Sequence, residues 1–222
     1  ILLDEYDTPM QEAYVEGYWE ELVSFTRSLF NASFKTNPFL ERALMTGITR
    51  VSRESVFSDL NNLVVVTTTS SAYADCFGFT ETEVFDSLDE YGFGGKKEDI
   101  KAWYDGFTFG KIHDIYNPWS VLNYLKTGRF APYWANTSSN RFVGSLIRES
   151  GRSLKMQFEE LLKGKEISTS LDEQIVFSQL HTSVTAIWSM LLASGYLKVT
   201  NYEIDERTGR DYYRLAITNR EV

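Results

Sequence analysis

Ile1-Leu2-Leu3-Asp4-Glu5 runs an apolar stretch directly into two adjacent carboxylates, with Tyr6-Asp7 close behind. Side chains alternate along a strand, so a strand ending here turns its two acids in different directions and lets them take different roles. One acid can hold the water shell of a divalent cation while the other polarises a water molecule for attack, a division of labour suited to phosphoryl-transfer hydrolysis. By itself the pattern is weak, because many buried strands end in solvated acids.

A second set of residues gives that chemistry more parts. Ala43-Leu44-Met45-Thr46-Gly47-Ile48 is a short apolar run ended by polar residues, followed by Thr49, Arg50 and Arg53. Ligands of parallel sheets bind at the carboxyl ends of the strands, so Thr46 or Thr49 would stand near a γ-phosphate as a sensor. Arg50 and Arg53 would stabilise transition-state charge or pair with nearby acids. Taken singly, either arginine is more simply a solvated or structural ion-pairing residue.

The Walker A sequence Gly-x-x-x-x-Gly-Lys-Ser/Thr does not occur. Its backbone amides and lysine would hold the β- and γ-phosphates, so this chain alone is expected to hold no cofactor, neither ATP nor Mg²⁺, and to hydrolyse no ATP. Gly92-Phe93-Gly94-Gly95-Lys96-Lys97 has the wrong spacing and no strand leading into it, and reads as a flexible turn before a helix containing Ile100 and Trp103. His113 and His181 lack metal-ligand spacing, and no nucleophile-elbow motif accompanies any serine. The aromatic stretch from Trp103 to Phe109, followed by Tyr116-Asn117-Pro118-Trp119, has too few interleaved basic residues for a base-stacking platform. A packed core around an Asp105-Gly106 turn fits it better.

The elements that position these residues fall into three characters. From 1 to 70 the pattern is α/β: an opening strand broken at Thr8-Pro9, an amphipathic helix from about Tyr14 to Ala32, the run at Ala43, and a β-branched run Leu63 to Thr69 that predicts another buried strand. From 71 to 165 it is mainly α. Thr80-Glu81-Thr82-Glu83 is a capping box opening a helix to about Tyr91. Asn117-Pro118 caps another, with Trp119, Val121, Leu122 and Leu125 as its apolar face and Gly128 past its end. From 166 to 222 a helix over Ser183 to Ala193 precedes two strands, Tyr196 to Ile204 and Asp211 to Ile217. That order fits the second half of a winged helix or a generic α+β cap.

The composition excludes several classes. At 222 residues, with 43% hydrophobic and 24% charged residues, the chain has the make-up of an ordinary folded protein. A net charge of −9, with acids and bases scattered, disfavours nucleic acid as a partner. Residues 171–222 carry seven acids against five Lys and Arg, and Ser183 to Ala193 has no basic residue, which favours protein contact over DNA. The single cysteine, Cys76, excludes an internal disulfide, fits a reducing cytosol and reads as a small core residue. No apolar stretch reaches membrane-spanning length, so the expectation is a soluble, cytoplasmic protein with no membrane partner. Ile1 in place of methionine, in a strand that begins midway, predicts a fragment boundary. A sheet cut there would expose an edge or face and favour self-association.

Taken in order, LLDEYDTP, ALMTGITRVSRESVFSDLNNL, FGFTETEV, WYDGFTFG, IYNPWSVLNYL, SGYLKV and YRLAITNREV resemble the predicted AAA-ATPase-like family of bacterial proteins over essentially the whole chain. The resemblance implies that Asp4 and Glu5 are the Walker B acids, Asp4 on Mg²⁺ and Glu5 as the water-activating base, with Asp7 in the same motif. It implies further that Thr46 to Arg50 is the sensor-1 region, the middle third a helical lid, and the end winged-helix-like. ATP and Mg²⁺ are then cofactors of an intact parent. The chain departs from the family in lacking the Walker A portion and the PD-(D/E)xK nuclease-like domain that commonly follows. The expected function is therefore that of an ATPase fragment, inactive alone. A non-catalytic protein-interaction module is the alternative, and a degenerate ATPase a third.

Overall fold

Gly17 divides the first predicted helix in two. The computed structural model describes residues 1–48, 57, 60, 63–135, 144, 147, 148, 150–172 and 183–222. Strand β1 (Leu2–Leu3) leads into α1 (Thr8–Glu16), with Pro9 in its first turn. Proline fits there because the first-turn N–H is not needed by the helix. Gly17 then takes a left-handed φ of 84° and donates to the Ala13 carbonyl, ending α1 two residues before α2 (Trp19–Phe34) begins. The expected helix from Tyr14 to Ala32 is thus two helices, because apolar spacing does not register a glycine able to reverse the backbone.

The chain groups into two units. The first comprises residues 1–65, 142–154 and 171–194. In it β1 pairs in parallel with β2 (Leu44–Met45), Leu2 opposite Leu44 and Leu3 opposite Met45. One face of this pair, Leu3 and Met45, packs on a core built from Met10 of α1 and Val23 and Phe30 of α2. The same core includes Ala186 and Met190 of a later helix (Val184–Ala193). The other face is open: Leu2 is 86% exposed and Leu44 55%. The expected buried strand over Leu63 to Thr69 is not formed. Residues 63–67 carry no strand, and Val64 is 88% exposed. β-branched residues favour a strand only where a neighbouring strand offers pairing and packing.

The second unit comprises residues 66–141, 155–170 and 195–222. Its first part contains β3 (Phe79–Thr80), α3 (Glu81–Glu90), a 3-10 turn at Gly94–Lys96, α4 (Lys97–Tyr104), β4 (Phe107–Phe109), β5 (Ile112–Tyr116) and α5 (Pro118–Thr127). The capping box forms as expected: the Thr80 N–H donates to Glu83 Oε2 at 2.8 Å, and the Glu83 N–H to Thr80 Oγ1 at 3.4 Å. These bonds to the ionised carboxylate hold Glu83 below the usual range. Asn117 Oδ1 likewise accepts the Ser120 N–H at 3.3 Å, and Gly128 closes α5 at φ 65°.

The buried face of α5 differs from the expected one. Ser120, Val121 and Tyr124 are buried, whereas Trp119 and Leu122 are about half exposed. Tyr124 fills the space between Phe93, Tyr104 and Phe130, which turns the helix away from the face that apolar counting selects. The glycine-rich stretch expected to be a flexible turn is instead partly ordered as the 3-10 turn leading into α4. Val84, Leu88, Ile100, Tyr104, Tyr116, Val121 and Tyr124 form the core of this part. Full burial of each large side chain contributes roughly 1.5–3 kcal/mol. The aromatic stretch is core, with Trp103 stacked on Phe130 at 5.5 Å.

The region from 71 to 165 also holds a small antiparallel sheet in the order β3-β5-β4, beyond its helices α3, α4, α5 and α6 (Arg152–Leu162). Cys76 is exposed rather than in the core, in a turn-rich stretch where Tyr73 and Phe77 are exposed too. After α6 comes β6 (Ile167–Thr169), then α7, the Val184–Ala193 helix, and the long hairpin β7 (Leu197–Asp205) and β8 (Arg210–Ile217). Ser183 caps α7 by accepting the Ala186 N–H. Helix and hairpin follow the expected order, and β6 adds a third strand to give β6-β8-β7. The fold is mixed α/β, and no helix among the described residues is long and apolar enough to cross a membrane.

Candidate functional site

Parallel pairing of β1 with β2 sets the two strand ends side by side. The Leu44 N–H donates to the Ile1 carbonyl at 3.0 Å, and the Thr46 N–H to the Leu3 carbonyl at 2.9 Å. One residue further on, the Tyr6 N–H returns to the Thr46 carbonyl at 3.0 Å. Asp4 and Glu5 therefore lie beside Thr46. The Thr46 hydroxyl donates to Asp4 Oδ1 and accepts the Glu5 N–H at 3.2 Å. The Glu5 amide also reaches Asp4 Oδ1 at 3.1 Å.

Glu5 adopts a left-handed φ of 50°, uncommon for a residue with a side chain. This turn carries the chain from β1 into α1. The Glu5 carboxylate accepts the Thr8 hydroxyl at 3.3 Å, and its carbonyl accepts the Thr8 N–H at 3.1 Å. Asp4 and Glu5 are both exposed, and Thr46 is half buried.

No group of three or more metal-ligating side chains occurs among the described residues, so a divalent cation here could take only one or two protein carboxylates. Mg²⁺ characteristically takes one or two protein carboxylates and completes its shell with waters and substrate phosphates, rather than sitting in an all-protein cage. Asp4 with Thr46 beside it fits that mode of binding.

Of the six residues singled out from the sequence, the structure brings Asp4, Glu5 and Thr46 together. Thr49, Arg50 and Arg53 lie outside the described residues. Two neighbours, placed in these motifs by the resemblance but given no defined role, lie against each other. Asp7 is buried, and Gly47 sits so close to it that a side chain there would collide with Asp7 and Tyr6. The tripeptide Thr46-Gly47-Ile48, with a glycine straight after a strand, is the local signal that would have pointed to such a contact.

The second unit has its own ionisable cluster. Lys101 of α4 pairs with Glu81 of α3 and lies 3.2 Å from Asp114 of β5, while the Tyr116 hydroxyl donates to Glu81 at 3.2 Å. Asp105, at the C-terminal end of α4, is buried, and its Oδ1 meets no donor among the described residues. Burial first, and the Asp114 charge second, push its carboxyl up to about 6. Tyr116 is raised as well, chiefly by burial and then by Asp105. Glu221 is a different case. Its carboxylate accepts the Ser120 hydroxyl at 2.8 Å and the Trp134 N–H, and burial holds its pKa up against those bonds. It is a tie between the end of the chain and the start of α5.

A family model described as "Predicted AAA-ATPase" matches residues 1–57, the stretch that holds Asp4, Glu5 and Thr46. The chain is 25% identical over 224 residues to an uncharacterised protein encoded in the vnfD 5′ region of Azotobacter chroococcum mcd 1. That match covers all of this chain and 40% of the relative, so the chain spans about two-fifths of the relative's length. No solved structure matches the chain.

Proposed function

We propose that Asp4, Glu5 and Thr46 form the cation-holding and water-polarising half of an ATP-hydrolysing site in a longer protein. The observation that carries this reading is the parallel β1/β2 register, which gathers two acids and a hydroxyl at adjacent carboxyl ends of strands. The family-model match over the same residues supports it.

In this reading Asp4 holds the water shell of Mg²⁺, Glu5 orients the attacking water and accepts its proton, and Thr46 reads the γ-phosphate. Thr49, Arg50 and Arg53 are further candidates for sensing and charge stabilisation. Bound Mg²⁺ would offset the charge on the phosphate oxygens. Because this chain carries no Walker A sequence, another segment supplies the phosphate cradle, and the chain alone hydrolyses no ATP. The middle helices act as a lid and the α7–β7–β8 end as a winged-helix-like element, both responding to the nucleotide.

Calorimetric titration of this chain with ATP at constant free Mg²⁺ is expected to give no saturable heat. Saturable binding abolished by Asp4→Ala would mean that the chain has a phosphate cradle of its own. In a longer protein containing this stretch, Glu5→Ala is expected to lower kcat by about 10²–10⁴-fold with little change in ATP affinity. Unchanged turnover would remove Glu5 from the role of base.

A second reading, a protein-interaction module, is favoured by the exposed Leu2/Leu44 face and by Val64. Parallel sheets are ordinarily covered on both faces, so an open one favours self-association or a protein partner. DNA fits less well, because α7 has no basic residue and is buried at six consecutive positions from Ala186 to Leu191. Light scattering is expected to show association that rises with concentration and falls in Leu2→Glu. A monomer at all concentrations would count against this reading, and a salt-sensitive shift of duplex DNA would restore the nucleic-acid alternative.

A further inference from the structure

Asp7 occupies the N-cap position of α1, yet its side chain makes no capping bond to that helix. It is only 1% exposed and is turned instead toward the chain leaving β2. A Cβ built on Gly47 would lie 2.6 Å from Asp7 Oδ1 and 2.7 Å from Tyr6 Cε1, well inside ordinary contact at 3.4 Å. The other carboxylate oxygen of Asp7 accepts Gln11 Nε2 at 3.1 Å, which ties it to the next turn of α1. Tyr6 is fixed from two directions. Its N–H is bonded to the Thr46 carbonyl, and its ring meets Phe57 edge-on at 5.3 Å.

Residues 6 and 7 thus hold the strand end just past the Thr46 side chain, at its own carbonyl and at the glycine that follows. Thr46 bonds the carboxylate of Asp4 and the backbone amide of Glu5. Its hydroxyl has one proton, directed to Asp4, and a lone pair that receives the Glu5 amide. A displacement of the Thr46–Gly47 peptide by the 0.8 Å that separates 2.6 Å from ordinary contact would disturb both bonds together. Asp7 Oδ1 thus lies where a side chain at residue 47 would begin, while its other oxygen is tied to α1.

We propose that Asp7 and Gly47 are positioning residues of the Asp4/Glu5/Thr46 site. Asp7, held by Gln11 and set close against Gly47, fixes the distance between the two strand ends, so that the Thr46 hydroxyl stays bonded to the Asp4 carboxylate and the Glu5 amide. Neither residue touches the cation or the nucleotide. This rests on the reading of Asp4 as the cation-holding residue.

The test uses a longer protein containing this stretch, with Mn²⁺ as the probe, reading free Mn²⁺ by its electron spin resonance signal, with a thermal melt of each variant. Asp4→Asn tests the reading itself and is expected to lose the binding. Asp7→Asn and Gly47→Ala keep all first-contact residues and are expected to weaken Mn²⁺ by about tenfold or more, the usual effect of groups that orient a ligand. Gln11→Ala, which loosens Asp7 without filling space, is expected to weaken it less and decides the matter if the other two fail to fold. Wild-type affinity in folded Asp7→Asn, Gly47→Ala and Gln11→Ala, with Asp4→Asn defective, overturns the positioning role alone. Wild-type affinity in Asp4→Asn, or no Mn²⁺ binding by the wild type, overturns the reading beneath it and the positioning role with it.

Discussion

Replacing Asp105 by Asn should stabilise the protein above pH 6 and leave it nearly unchanged near pH 4. Asp105 is buried at the C-terminal end of α4, where the helix dipole adds to the cost of a negative charge. Asp114 and Tyr116 face it from β5, Lys101 from α4, and Glu81 from α3 beyond Lys101. Only Lys101 and the Gly106 N–H favour its ionised form, and burial with the Asp114 charge outweighs them. Its carboxyl rises from 3.8 to about 6, so between those values the folded state holds a proton that the unfolded chain has lost. The unfolding free energy must then fall as pH rises through this window and level off above it. At 1.36 kcal/mol per pKa unit the full loss is about 3 kcal/mol, and about half that if Asp114 shares the proton. Asparagine is neutral throughout and can offer Nδ2–H to Asp114, so the variant escapes the penalty. Urea unfolding of both proteins, followed from about pH 4 to about pH 7.5, should show a gap opening in favour of the variant by about 1.5–3 kcal/mol. The carboxyl carbon of Asp105 should titrate near 6 by NMR. A gap that is constant with pH, or a carboxyl that titrates near 4, would refute the reasoning.

Two further predictions concern the ties of the second unit. Gly106 has φ 129°, and a Cβ there would press into the Thr218 carbonyl, so Gly106→Ala should cost at least about 2 kcal/mol in chemical denaturation; a cost below about 0.5 kcal/mol would show that the two segments part easily. Ser120→Ala leaves the buried Glu221 carboxylate short of a donor and should cost about 1–3 kcal/mol in chemical denaturation; a cost below about 0.5 kcal/mol would show that this bond contributes little to the fold.

How far the fold was legible depended on whether a feature is local. Thr80 with Glu83, and Asn117 with Pro118, satisfy backbone groups within a few residues, and both caps form where the sequence places them. The hairpin of β7 and β8 follows from alternation on either side of a glycine-containing turn. Where partners come from elsewhere in the chain, the sequence misled. Leu63 to Val66 has strand composition without a described strand beside it. Trp119 and Leu122 are more apolar than Ser120 and Tyr124, yet the latter are buried, since Ser120 bonds Glu221 and the Tyr124 ring fits the aromatic core. β6 was not anticipated because three residues carry almost no periodicity, and only β8 makes them a strand.

The candidate site divides along the same line. Asp4 and Glu5 were visible because an apolar run that ends in acids is a local pattern, and Thr46 because it ends a second such run. That the three meet depends on register. Leu2 opposite Leu44 and Leu3 opposite Met45 carries Asp4 forward to stand beside Thr46. A slip by one residue would set Asp4 beside Met45 or Gly47 and turn the Thr46 hydroxyl to the opposite face, since side chains alternate along a strand. A two-residue parallel pair has too few ladder bonds to resist that slip unaided. The clasp of Tyr6 and Asp7 on Thr46 and Gly47 supplies a second constraint just past the strand ends, where a slipped register would bring a side chain against a carboxylate that has room only for glycine. The residues proposed to carry the chemistry and those proposed to fix their register therefore occupy one heptapeptide, Leu2 to Thr8, and one short turn across from it.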